Sequence, residues 1–235
     1  MATPEFIWPT HQFTPKTQKW QLRGAAKSGG ASIGGVVQAT RVDGGGYWLL
    51  ELGEIKLMSA DQLRAWRAWE MIVDNGATPV VFKMCDPRQR PDVIVGGVLA
   101  KAHFVTHSDG MKFSDGSTYA SVPINAFIAT AAPLRATTIE VDIDNVALRG
   151  GEHFSIDHPA YSHRLYRVRT VEHIDGARHR ITFRPPLREA VAPGERVDFN
   201  NPSCVMRIID GDQMPIEIED FRRATARAIF VEHFG

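Results

Sequence analysis

Between Thr138 and Phe199 the chain repeats one pattern: short runs with apolar side chains at every second position. Ile139, Val141 and Ile143 alternate with polar residues in TIEVDID, and Phe154 and Ile156 do so in HFSID. Tyr166 and Val168 follow in LYRVRTV, Ile181 and Phe183 in RITFRP, and Val197 and Phe199 in RVDFN. Successive side chains on a strand point to opposite faces, so this period predicts strands with one buried face and one wet face. Asp175-Gly176 lies midway between two runs and marks a hairpin turn. Five or six short strands in about 75 residues point to a small closed or partly closed barrel, because closure removes exposed sheet edges.

The N-terminal half reads differently. KWQLRG, GGYWLLELGEIKLM and TPVVFKMCD are apolar runs rich in aromatic and branched residues, which predicts buried strands. Asp43 and the glycines 44–46 supply a turn before the second run. Between the last two runs, Leu63, Trp66, Trp69, Ile72 and Val73 recur at three- and four-residue steps, the period of an amphipathic helix. Ser59 and Gln62 match a capping box, and Asn75-Gly76 can take the left-handed conformation that ends a helix. A helix over about 60–74 is therefore expected, with Trp66 and Trp69 anchoring it to a sheet. HSDGMKFSDGSTYAS (107–121) reads as a polar surface hairpin or long loop suited to contacts with another protein. In the tail, Ala228, Phe230 and Glu232 alternate with Ile229, Val231 and His233, so this strand can return to the first sheet.

The length of 235 residues fits one large domain or two small ones. Lys+Arg and Asp+Glu both number 27, so the basic excess of a dedicated nucleic-acid binder is missing and no specific nucleic-acid partner is expected. Cys85 and Cys204 lie far apart in sequence and read as two buried thiols of a reducing compartment. The N-terminus carries no basic segment followed by an apolar run, and no apolar stretch nears the ~20 residues of a membrane helix. A soluble protein made in a cytoplasm, with no membrane partner, is the expectation.

Five of the nine histidines crowd one region: His153, His158, His163, His173 and His179, with Asp157 among them. Metal ligands must converge on one point. Strand parity instead sends Phe154 and Ile156 inward and places His153, Ser155 and Asp157 on the solvent side. His158 precedes Pro159 and is pushed toward an extended or turn conformation. A hairpin with histidines on its wet face and tip is thus expected, and no metal site is assigned. No nucleophile elbow surrounds any serine. GGASIGG (29–35) lacks a Lys-Ser/Thr ending and precedes a strand-like run, so it reads as a flexible loop rather than a phosphate cradle. Arg164, Arg167, Arg169, Arg178, Arg180, Arg184 and Arg188 could make a basic face. Ten acidic residues against eleven basic ones in 134–209 favour a face laced with salt bridges. No catalytic residue, cofactor-binding residue or cofactor is assigned.

The chain resembles the distal tail protein of long-tailed phages. The likeness is carried by KWQLRGAAKSGG, GGGYWLLELGEIKL, SADQLRAWRAWEMIVDNG and RAIFVEHF, which look like an N-terminal domain and its closing strand. FSIDHPAYSHRLYRVRTV and the phrases of HRITFRPPLREAVAPGERVDFNNPSCVMRI resemble a barrel module of tail-tip proteins. The expected fold is mainly β: an N-terminal β-sandwich flanked by one α-helix, with a small inserted β-barrel domain. The sandwich would take 1–133 plus 210–235 and the barrel 134–209. The resemblance implies a structural virion protein of the tail tip, a homohexameric ring contacting the tail tube protein on one side and tail hub and fibre proteins on the other. Its barrel would project outward or help bind receptor-binding components. Some relatives carry a larger carbohydrate-binding-like domain where this chain has a small module, so receptor or sugar binding stays open. Two alternatives stand beside it: a carbohydrate- or nucleic-acid-binding barrel module, and a metal-dependent hydrolase.

Overall fold

A computed structural model describes residues 6–31, 33–35, 37–41, 45–84, 86–95, 98–100, 124–209, 214–219 and 223–234. In chain order the strands begin β1 (Phe6–Ile7), β2 (Pro15–Arg23), β3 (Ala26–Ala31), β4 (Val37–Arg41) and β5 (Tyr47–Leu57). Helix α1 (Ala60–Val73) and β6 (Val80–Lys83) follow. Next come β7 (Asp92–Val95), β8 (Val98–Ala100), β9 (Ala126–Ile128), β10 (Thr138–Ile143), β11 (Val146–Ala147) and β12 (His153–His158). The long hairpin β13 (Ser162–Asp175) and β14 (Arg178–Arg184) precedes β15 (Arg196–Asp198), β16 (Ser203–Ile208), β17 (Ile216–Glu219) and β18 (Arg223–Glu232). The protein is mainly β, with a sandwich-like sheet unit flanked by the one α-helix of the described residues, and a closed six-stranded barrel. The described residues include no helix long and apolar enough to cross a membrane.

The first compact unit comprises residues 1–83, 161–163 and 203–235. Its seven-stranded sheet runs β1-β6-β16-β18-β5-β2, and β17 pairs with β18. The C-terminal strand β18 thus lies between β16 and β5, joining the two ends of the chain in one sheet. A register shift between Ala226 and Ala228 breaks the long β18–β5 ladder, the kind of bulge that bends and twists a strand pair.

Helix α1 starts where its capping box dictates. Ser59 Oγ accepts from the Gln62 N–H at 3.1 Å, and Gln62 Oε1 accepts from the Ser59 N–H at 3.3 Å. It ends one residue before the expected pair: Asp74 already has φ 40°, followed by Asn75 at 51° and Gly76 at 91°. Glycine is required at 76, since a Cβ there would lie 2.6 Å from the Ile208 carbonyl oxygen. Trp66 is fully buried and its indole N–H donates to the Met214 carbonyl at 3.3 Å. The centre of this core is Trp8, whose ring meets Trp66 and Trp69 of the helix, Phe82 of β6, Phe230 of β18 and Phe13.

The second unit comprises residues 84–160 and 164–202. Its barrel closes in the order β10-β14-β13-β12-β15-β9. Ile139, Val141, Ile143, Phe154, Ile156, Tyr166, Val168, Ile181, Phe183, Val197 and Phe199 all enter one buried core. The turn of the β13–β14 hairpin is Gly176-Ala177, with Asp175 paired to Arg178 and φ 46° at Gly176. A three-stranded sheet, β11-β7-β8, completes the unit.

The boundaries differ from those expected, 134–209 for the barrel and 1–133 with 210–235 for the sandwich. Ser203–Ile208 leaves the barrel and lies between β6 and β18. SCVMRI is nearly all buried, as a strand with neighbours on both edges should be, and carries no local sign of which sheet claims it. Ala126–Ile128, in turn, supplies the barrel's β9. Cys85, Asp43-Gly44 and the stretch 107–121 lie outside the described residues.

Candidate functional site

The histidine-rich segment folds onto β12, β13 and β14 of the barrel. His153 opens β12, and its position overturns the parity expectation: His153 is 8% and Ser155 3% exposed, while Asp157 alone of the three faces solvent. Parity assumed that the outer face of the strand is wet. Here that face is covered. The His153 N–H donates to Gln89 Oε1 at 3.3 Å, and Arg167 Nε of β13 donates to His153 Nε2 at 2.7 Å. Gln89 belongs to a short 3-10 turn, Pro87–Gln89, whose first N–H groups are served by Asp86: Arg88 N–H donates to its Oδ1 at 3.0 Å. Burial, aided by the Arg167 charge and opposed by Asp86, pushes the His153 imidazole down to about 3. The ring is therefore neutral, with its accepting nitrogen occupied by a guanidinium.

His158 closes β12 in the extended conformation expected before Pro159, but it is buried. Its Nε2 lies 2.8 Å from Tyr166 Oη, and the Arg188 N–H donates to the same oxygen at 3.1 Å. The Tyr166 hydroxyl and His158 Nε2 share one hydrogen bond, its direction set by which imidazole nitrogen carries the proton. Burial also lowers the His158 pKa. A Tyr–His pair fastened to a backbone amide holds the end of β12 to the 185–188 turn. Nothing in the sequence around His158 or Tyr166 announces this contact.

The arginines form an ion-pair ladder on the outer face of β10, β14 and β13. Arg180 reaches Glu140 at 2.9 Å and Glu172 at 3.0 Å. Arg178 donates to both oxygens of Asp142 at 3.0 and 3.2 Å. Such exposed pairs contribute little stability each. They do, however, neutralise the charges that a basic ligand-binding face would need, and Arg167 is committed to His153.

His163 lies in β13 near its start, away from the strand's far end, where His173 and His179 face one another across the β13–β14 pair with ring centroids 5.0 Å apart. Among the described residues no three His, Cys, Asp or Glu side chains converge on a metal position. Cys204 is buried in β16. The glycine-rich stretch near 29–35, expected as a flexible loop, instead contributes to the β3–β4 hairpin, with Ala26 opposite Arg41 and Ala31 opposite Val37. No family model matches the chain, and no curated protein matches it.

Proposed function

We propose that the chain is a structural component of a phage tail tip, assembling as a homohexameric ring that joins the tail tube to the hub and fibres. The observation that carries this reading is the β3–β4 hairpin. It is a two-stranded sheet separate from the main sheet, and every residue of β3 is exposed. Ile33 at its turn and Val37 are among the most exposed apolar side chains of the described residues. A lone two-stranded ribbon is marginal in water, so such an arm gains stability when another chain covers it. In a ring, each subunit offers its neighbours two different faces, and a projecting arm received by the next copy supplies one of them. The order of elements adds support: a sheet built from both ends of the chain, with a barrel inserted between the adjacent strands β6 and β16. A zero net charge leaves self-association unopposed.

Replacing residues 27–40 by a two-glycine turn tests the arm. Light scattering at micromolar concentration should give six times the 26.1 kDa chain mass for the intact protein and the monomer mass for the variant. An intact protein that is monomeric contradicts the ring. A variant that assembles as well as the intact chain removes the arm from the interface.

A further inference from the structure

We propose that His173 and His179 form a two-imidazole chelating site for a divalent transition-metal ion of the Cu²⁺, Ni²⁺ and Zn²⁺ class at the rim of the barrel. The two residues are direct cross-strand partners, and their neighbours on the same side are Val171 and Ile181, which pack in the barrel core. His179 also lies opposite Val141, a fully buried core residue of β10. The pair therefore continues the inward face of the hairpin one step beyond the last apolar layer. His179 is half-exposed and His173 exposed, so an ion can reach them.

Their meeting depends on a bulge. A two-residue turn alone would set His173 opposite Arg180; the register shift between His173 and Asp175 moves it to His179. The geometry then fits chelation. With metal–nitrogen bonds of about 2.1 Å and a near-tetrahedral angle, two imidazole centroids fall roughly 5 Å apart; the observed separation is 5.0 Å, with the rings inclined at 58°. The ring tautomer is also set. His179 Nδ1 lies 3.0 Å from the Ala177 carbonyl oxygen, which only accepts, so Nδ1 carries the proton and Nε2 offers its lone pair. A ligating histidine is oriented in this way by the hydrogen bond of its other nitrogen. The nearby cations do not oppose an ion, because Arg178 and Arg180 point to the opposite face and are paired with Asp142, Glu140 and Glu172. Among the described residues no third protein ligand joins the pair, so water completes the coordination and affinity should follow the order Cu²⁺ above Ni²⁺ and Zn²⁺.

The test uses the full chain without an affinity tag, titrated with Cu²⁺ and followed by calorimetry and electron paramagnetic resonance. The intact protein should bind one equivalent through two imidazole nitrogens. His173→Ala and His179→Ala should each weaken that binding by about tenfold or more, at least the scale on which even outer-shell changes act. The double variant should lose it, with its circular dichroism unchanged, whereas His11→Ala should bind as the intact chain does. Undiminished binding by the double variant, a one-nitrogen signal, or no binding by the intact chain would each overturn the site.

Discussion

Trp8→Ala is expected to destabilise the first unit by about 3–5 kcal/mol, the range for removing a large aromatic side chain from a core. Trp8 is 1% exposed, and five other aromatic rings pack against it from α1, β6, β18 and the segment before β2. Its indole nitrogen has no hydrogen-bond partner among the described residues, so Trp8→Phe should keep most of the packing and cost far less. Native-state hydrogen exchange reads the difference directly. Amides of β6 and β18 should lose protection strongly in the alanine variant and weakly in the phenylalanine variant. Equal losses would contradict this, showing that a phenyl ring does not replace the packing of the indole.

Acid should destabilise the barrel through His153. In the unfolded chain this imidazole takes up a proton near its ordinary value of 6.5, whereas in the folded chain burial and Arg167 hold it down to about 3. Above the higher value both states are neutral and pH has no effect through this group. As pH falls below it, the unfolded state binds the extra proton and stability declines until the folded ring titrates. One proton over that window amounts to roughly 1.4 kcal/mol per pH unit and on the order of 5 kcal/mol in all. His158 is shifted in the same direction by burial and adds to the loss. His153→Gln keeps a carbonyl oxygen to accept from Arg167 and removes the titration. Urea midpoints of the intact chain should therefore drop more steeply between neutral pH and pH near 4 than those of the variant. Parallel pH profiles would show that His153 is not held neutral.

These two sites mark how far the sequence reaches. The apolar halves of the barrel strands were legible from period two alone, since only burial of one face demands that alternation. Helix α1 was legible because its period and its Ser59–Gln62 cap agree. What parity could not show was the cover on the outer side of β12: Gln89 lies 64 positions before His153, and no local pattern links them. The place of Ser203–Ile208 escaped for the same reason. A continuous apolar strand reads alike in either sheet, and its partners β6 and β18 are distant in sequence. The His173–His179 pair was hidden by a bulge, because one extra residue decides which side chains oppose. The histidine cluster thus split by environment: two rings serve the fold of the barrel, and two others meet at its rim.

The ring is the central claim, and an electron micrograph of the purified chain in negative stain tests it most directly. Annular particles with a central hole and six subunits are the expected result. A field containing only particles the size of a 26.1 kDa monomer would contradict it.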